Sequence, residues 1–230
     1  MAAARWNSFG SPHELAAALA GRIAATLSEA IRLRGRATLA VSGGRTPVRL
    51  FEALSGQQID WSSVTVTLVD ERYVPQSDPR SNAGLVRDRL LVGEAAKAAF
   101  VPLYRPAETI GQAASLAELA IAGLPRPFDA VVLGMGADGH AASFFPDAPN
   151  LAELIANRDG RAVLPVVAAS AGEPRLTLSL QLLCAARFLA LHIEGDEKKS
   201  VLEAALDKGD RPVSAFFQHA GNGVEIFWAP

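Results

Sequence analysis

The sequence predicts an α/β fold: a mostly parallel central sheet with helices on both faces, Rossmann-like in plan. Three observations carry this. Short apolar runs recur at Ala37–Val41, Val64–Val69 and Asp129–Leu133. Segments of helical period separate them, long enough to serve as crossovers between parallel strands. No linker, repeat or low-complexity block interrupts the alternation, and 230 residues suit one α/β domain over 1–230 at least as well as two small ones.

Each element has a local reason. Ser11-Pro12-His13-Glu14 is a capping box with proline at the first helical position. The helix it opens carries Leu15, Leu19, Ile23, Leu27 and Ile31 along one drifting face to about Arg34, so everything before the first strand reads as one helix. Ala37–Val41 follows as a buried strand. Pro47 then opens a helix with Leu50, Phe51 and Leu54 inward. Val64–Val69 is a strand, Asn82–Leu91 and Glu108–Ala122 are helices, and Asp129–Leu133 is the third apolar strand. Leu124–Pro127 is a proline-rich loop. The stretch Pro146–Val163 has no legible period and has room for an insertion. Strands are expected at Ala162–Val167, Arg175–Leu180, Arg187–Ile193 and Val224–Trp228, with helices at Glu197–Leu206 and Val213–His219.

Charge and composition exclude several function classes. Twenty-two cationic and 24 acidic side chains leave a net charge of −2, whereas a nucleic-acid binder carries a basic excess or block. No uncharged stretch is long enough to span a membrane, and no apolar stretch of signal-peptide type follows Arg5. The single cysteine, Cys184, permits no internal disulfide and fits a reducing compartment. The expectation is a cytoplasmic protein, monomeric or weakly dimeric, without nucleic-acid or membrane partners. The cations are 18 arginines and only 4 lysines. Genome composition accounts for such a bias by default, but a phosphate or carboxylate pocket also favours the planar guanidinium fork.

In an open parallel sheet, ligands bind beyond the carboxyl ends of the strands, and three of the expected strands end in unusual polar loops. The first ends in Ser42-Gly43-Gly44-Arg45-Thr46 before the Pro47 helix. Two glycines allow close backbone approach to an anion, the helix start supplies free N–H groups, and Arg45 adds a charge. The spacing is not that of a Walker loop; the plainer alternative is a glycine turn with Thr46 as cap. The second ends in Asp70-Glu71-Arg72-Tyr73-Val74-Pro75, which taken alone suits a solvated, salt-bridged loop end. The third ends in Gly134-Met135-Gly136-Ala137-Asp138-Gly139-His140. It matches G-x-G-x-x-G, but Pro146 leaves no room for the required helix, and Asp159 precedes the next strand instead of following it, so a dinucleotide site is rejected.

His140 stands apart from the other histidines. Glycines surround it and Asp138 lies two residues before it, at a strand's carboxyl end. An imidazole, with an unperturbed pKa of about 6.5, suits proton transfer there. His13, His192 and His219 read as structural. No histidine pair has a zinc-site spacing, and no G-x-S-x-G elbow occurs, so neither a metal, a cofactor nor a serine nucleophile is expected. The three loops together suggest a small phosphorylated substrate and histidine acid–base chemistry.

The ordered series S-G-G-R-T-P (Ser42–Pro47), V-D-E-R-Y-V-P (Val69–Pro75), S-N (Ser81–Asn82) and G-M-G-A-D-G-H-A-A-S-F-F-P (Gly134–Pro146) resembles the 6-phosphogluconolactonases. P-R-L-T-L-S-L (Pro174–Leu180) and G-D-E-K (Gly195–Lys198) continue the match, which runs from about Ala37 to Leu206. The resemblance implies a fold of the glucosamine-6-phosphate isomerase type and hydrolysis of 6-phosphoglucono-δ-lactone to 6-phosphogluconate, the second step of the oxidative pentose phosphate pathway. The related glucosamine-6-phosphate deaminases carry a proton-transferring glutamate where this chain has Phe145. A sugar-phosphate sensor that binds without turnover is the remaining alternative, although such regulators carry a DNA-binding domain that the single N-terminal helix does not provide.

Residues and resemblance together give an expected site. His140 acts as general base on water, Asp138 orients it, and Arg72 faces the developing oxyanion. Gly43, Gly44, Arg45 and Thr46 hold the phosphate, with Arg175 and Lys198 as further cations; the family pattern selects Lys198 over Lys199. Ser42, Asp70, Asn82 and Gly136 complete the substrate-binding set.

Overall fold

The computed structural model describes residues 4–230; the first three residues of the expected 1–230 domain lie outside the described residues. In chain order the elements are β1 (Arg5–Ser8), α1 (Pro12–Arg34), β2 (Ala37–Val41), α2 (Val48–Ser55), β3 (Val64–Leu68), β4 (Asp70–Arg72), α3 (Asn82–Arg89), β5 (Ala99–Val101), α4 (Ile110–Ala122) and β6 (Ala130–Gly134). There follow α5 (Leu151–Ala156), β7 (Val163–Val166), β8 (Arg175–Leu178), α6 (Leu180–Cys184), β9 (Phe188–Glu194), α7 (Asp196–Lys208), α8 (Pro212–His219) and β10 (Glu225–Ala229).

Seven strands form a central sheet in the order β1-β10-β9-β6-β2-β3-β5, every neighbouring pair parallel. The expected mostly parallel α/β architecture is the one observed. The chain builds outward from β2 through β3 to β5, then returns to the other side of β2 as β6 and continues through β9 to β10. The reversal lies between β2 and β6, where the loops leaving two adjacent strands diverge and open a crevice.

The helices form for the expected local reasons. Ser11 Oγ accepts the Glu14 N–H at 3.2 Å, while the Glu14 carboxylate reaches the N–H of Gly10, one residue short of the reciprocal box. Leu15, Leu19, Ile23 and Leu27 are fully buried; Ile31 has drifted to the edge of the face and is only partly covered. Gly35 ends α1 in the left-handed region, donating back to the Ile31 carbonyl. Leu50, Phe51 and Leu54 bury completely from α2.

The structure corrects three expectations and supplies the form of one stretch without a legible period. The segment before Ala37 is not a helix alone: Arg5–Ser8 forms the edge strand beside β10. Pro146–Val163 contains α5. Leu180, expected to end a strand, begins α6, because Ser179 accepts the Leu182 N–H and caps it. The strands near 162–167 and 175–180 do not join the parallel sheet. They pair with Asp70–Arg72, read as a polar loop, in a three-stranded antiparallel sheet ordered β4-β8-β7. The connection Val167–Pro174 is too short for a parallel crossover, which takes about a dozen residues or more. Val69 is the handover point: its N–H joins the Val41 carbonyl of the large sheet and its carbonyl accepts the Leu178 N–H of the small one.

Cys184 is buried beneath α8, and burial pushes its thiol up to about 12. Its thiolate fraction at neutral pH is therefore negligible. A thiol reagent such as Ellman's should leave the native protein unlabelled for hours and react at once in guanidinium chloride; rapid labelling of the native state would contradict this packing.

Candidate active site

The crevice at the reversal is a cavity of about 280 Å³. It brings together Ser42, Gly43, Gly44, Arg45, Thr46, Asp70, Arg72, Asn82, Gly136, His140, Arg175 and Lys198, which come from six separate stretches of chain. Asp138 stands directly behind His140. Four cationic side chains and one carboxylate line the cavity, so a chain of net charge −2 presents a locally cationic site.

Its first wall is the loop between β2 and α2. Gly44 has φ +92°, open to glycine, and Gly43 has no room for a side chain: a Cβ would lie 1.9 Å from Asn82 Oδ1. Helix α2 starts after Pro47 with no side-chain cap, so Thr46 is free of the capping role and lines the cavity. Arg45 is exposed at the rim. Lys198 approaches from the first turn of α7. Burial holds its ammonium below the usual lysine range, Arg45 acts in the same direction, and Glu194 and Glu197 oppose. Ser42 is a strut: its hydroxyl donates to the Val132 carbonyl at 3.1 Å and accepts the Gly134 N–H at 2.9 Å, tying β2 to β6 at the mouth. That leaves no hydroxyl proton for a ligand.

The second wall is β4 and the start of α3. Glu71 is fully buried, and its carboxylate accepts the N–H groups of Arg72, Asn82 and Ala83 and the Ser81 hydroxyl at 2.7–3.0 Å. Burial raises its pKa while these four bonds pull it down. It clamps the helix start and does not face the cavity. Asp70 does, and accepts the Ser143 hydroxyl at 2.6 Å. Asn82 donates to the Asp70 carbonyl at 2.9 Å, which turns its Oδ1 toward Gly43.

Arg72 and Arg175 are directly opposed across the β4–β8 ladder, and both line the cavity. Arg72 donates to the Arg80 carbonyl and Arg175 to the Ala171 carbonyl. Burial lowers the Arg175 pKa; Asp70 counters it and the Arg72 charge adds to it. Like charges directly opposite are destabilising unless an anion is shared between them.

The third wall is the loop after β6. Gly139 turns at φ +83°, and Gly136 N–H closes the loop onto the His140 carbonyl at 2.9 Å. A Cβ on Gly136 would lie 2.3 Å from His140 Cε1 and 2.6 Å from Asp138 Oδ1, so the imidazole and carboxylate rest on a bare backbone. Asp138 Oδ1 stands 2.6 Å from His140 Nδ1. A carboxylate accepts only, so the proton lies on Nδ1 and leaves Nε2 as the basic nitrogen of the neutral ring. Ala142 is held at φ +49°, a strained conformation for a residue with a Cβ. Phe145 packs between the His140 ring, 4.4 Å away, and the Arg175 guanidinium, 5.6 Å away.

Sequence reasoning missed two polar members, Ser170 and His192. His192, read as structural, lines the cavity from β9 beside Gly134. Its position in the apolar run Phe188–Glu194 makes it look like strand core, and only the register with β6 places it at the crevice.

The chain matches the model of the family described as glucosamine-6-phosphate isomerases/6-phosphogluconolactonase over residues 10–228. It is 55% identical to a 6-phosphogluconolactonase of Mesorhizobium japonicum, covering 98% of this chain and 95% of that protein. It is 50% identical to a 6-phosphogluconolactonase of Rhizobium meliloti, covering 99% of both. The crystal structure of a 6-phosphogluconolactonase from Shewanella baltica superposes with a TM-score of 0.95 at 38% identity, over 100% of this chain and 99% of that one.

Replacing Gly136 with alanine should displace the imidazole while sparing the phosphate loop. Turnover should fall at least ten-fold with the affinity for a phosphorylated ligand held within about three-fold. Unchanged turnover would show that His140 does not depend on this seat.

Proposed function

Since the chain belongs to the glucosamine-6-phosphate isomerase/6-phosphogluconolactonase family, we propose the following course for its reaction, the hydrolysis of 6-phosphoglucono-δ-lactone to 6-phosphogluconate. The phosphate is held by the Gly43–Thr46 backbone, the α2 N-terminus, Arg45 and Lys198. This anchoring directs the lactone carbonyl toward His140. His140 Nε2 takes a proton from water as the oxygen adds to C1, and the Asp138 carboxylate stabilises the imidazolium that forms. Arg72, with Arg175 beside it, faces the oxyanion that develops on the carbonyl oxygen. Collapse of the tetrahedral intermediate breaks the bond from C1 to the ring oxygen. His140 returns its proton to that oxygen, leaving a free hydroxyl and a carboxylic acid that releases its own proton to solvent to become the carboxylate.

The observation that carries this reading is the 2.6 Å Asp138–His140 couple in a cavity whose charged lining is mainly cationic. Phe145 argues against the deaminase alternative. It fills the place of that enzyme's proton-transferring glutamate and packs on the base, so one acid–base group serves the site. Adding water to an activated ester requires no second.

With the lactone generated in situ, 6-phosphogluconate formation should exceed the spontaneous rate, and glucosamine 6-phosphate should release no ammonia. His140→Ala should lower kcat by about 10²–10⁴-fold while 6-phosphogluconate still binds. Wild-type turnover in that variant would remove His140 from the chemistry. Arg45→Ala should raise KM by about ten-fold or more and leave kcat nearly intact, because the phosphate is unchanged between ground and transition states. A loss confined to kcat would refute the phosphate assignment.

A further inference from the structure

Among the described residues, four buried side-chain atoms have no hydrogen-bond partner: Thr38 Oγ1, Asn82 Oδ1, Arg175 Nε and His192 Nδ1. Three of these four side chains line the one cavity, a concentration expected where a ligand completes the pairing. Asn82 and Arg175 already belong to the expected site. His192 does not.

The imidazole is 2% exposed, with Nε2 3.3 Å from Glu194 Oε1. The hydrogen bond from His192 holds the Glu194 carboxyl below its usual range, with the Arg49 and Lys198 charges adding to the effect. An ionised carboxylate accepts and cannot donate, so the proton of the neutral ring sits on Nε2 and Nδ1 is a bare acceptor. Leaving such an atom buried and unpaired lowers stability, and a leucine on this strand would avoid that loss. Gly134, its partner in the β6–β9 register, has no side chain, so none from that position of β6 covers the ring. An acceptor calls for a hydroxyl, not for a phosphate oxygen.

We infer that His192 is a substrate-binding residue whose Nδ1 accepts a hydrogen bond from a hydroxyl of the phosphorylated polyol. Glu194 is the positioning residue that fixes its tautomer. The inference rests on the reading of the cavity as the sugar-phosphate site. It adds a specificity element for the carbon chain to a site otherwise built for the two charged ends.

Two substitutions separate this role from a scaffold role. Asparagine places an amide oxygen near the position of Nδ1 but cannot reach Glu194. Glutamine reaches Glu194 but offers no acceptor at the Nδ1 position. By calorimetry, His192→Gln should weaken 6-phosphogluconate binding about ten-fold, and His192→Asn should stay within three-fold of wild type. Inorganic phosphate should bind equally to all three. On the wild-type protein, the ¹⁵N resonance of His192 Nδ1 should move upfield when 6-phosphogluconate is added, a measurement independent of whether either variant folds. Unchanged binding in both variants, equal losses in both, a loss in asparagine alone, or a static Nδ1 resonance would each overturn the inference. A parallel loss of inorganic phosphate affinity would also overturn it, by assigning the ring to the phosphate. Failure of the wild type to bind 6-phosphogluconate at all would instead count against the reading of the cavity.

Discussion

The buried Glu71 carboxylate holds the catalytic corner together. It receives four hydrogen bonds, three of them from backbone N–H groups, and so joins β4 to the first turn of α3. A carboxylate at a helix start also suits the helix dipole. Asp70 and Arg72 flank it on either side and project into the cavity, and Asn82, held from both ends, presses on Gly43 across the crevice. One buried acid therefore sets the β4 wall of the cavity and, through Asn82, the neighbouring glycine loop. The adjacent pair Asp70-Glu71 divides its labour by alternation along the strand: one carboxylate faces the ligand, the other faces the helix.

Charge is concentrated in this site at a cost to the empty protein. Arg72 opposes Arg175, and Arg45 stands near enough to Lys198 to disfavour its charge. An anion between the members of either pair would relieve this repulsion, which is the charge arrangement the proposed binding of phosphate at one end and oxyanion at the other calls for. Such preorganisation leaves little reorganisation to be made during the reaction. The catalytic loop follows the same logic in steric terms. Gly136 provides a flat seat, Gly139 a turn, and the strained Ala142 aims Phe145 back against the imidazole.

How much of this was legible in the sequence depended on how local each cause is. Helix α1 announces itself through Ser11, Glu14 and a repeating apolar face, all within one segment. β2, β3, β6, β9 and β10 are apolar runs whose burial is the same in any sheet order. The short elements β1, β4 and β5 are different. Arg5–Ser8 and Ala99–Val101 are edge strands, stabilised by neighbours far away in the chain, and Asp70–Arg72 is polar because its side chains meet a helix start and line a cavity. Of the site, the glycine loop and the Asp138–His140 pair were legible because their spacing is itself the geometry. His192 was not, since a histidine within a buried strand has no local signature of what lies in front of it.

The sequence by itself determined the fold class, the glycine loop after β2 and the closeness of Asp138 to His140, because these rest on interactions among residues a few positions apart. Only the tertiary structure decided that Asp70–Arg72 is a strand facing Arg175, that the Ser42 hydroxyl ties β2 to β6, and that His192 reaches the cavity. Each of those facts depends on strand order and register. Pairings between segments dozens of residues apart are settled by the collective burial of the sheet, not by any one segment.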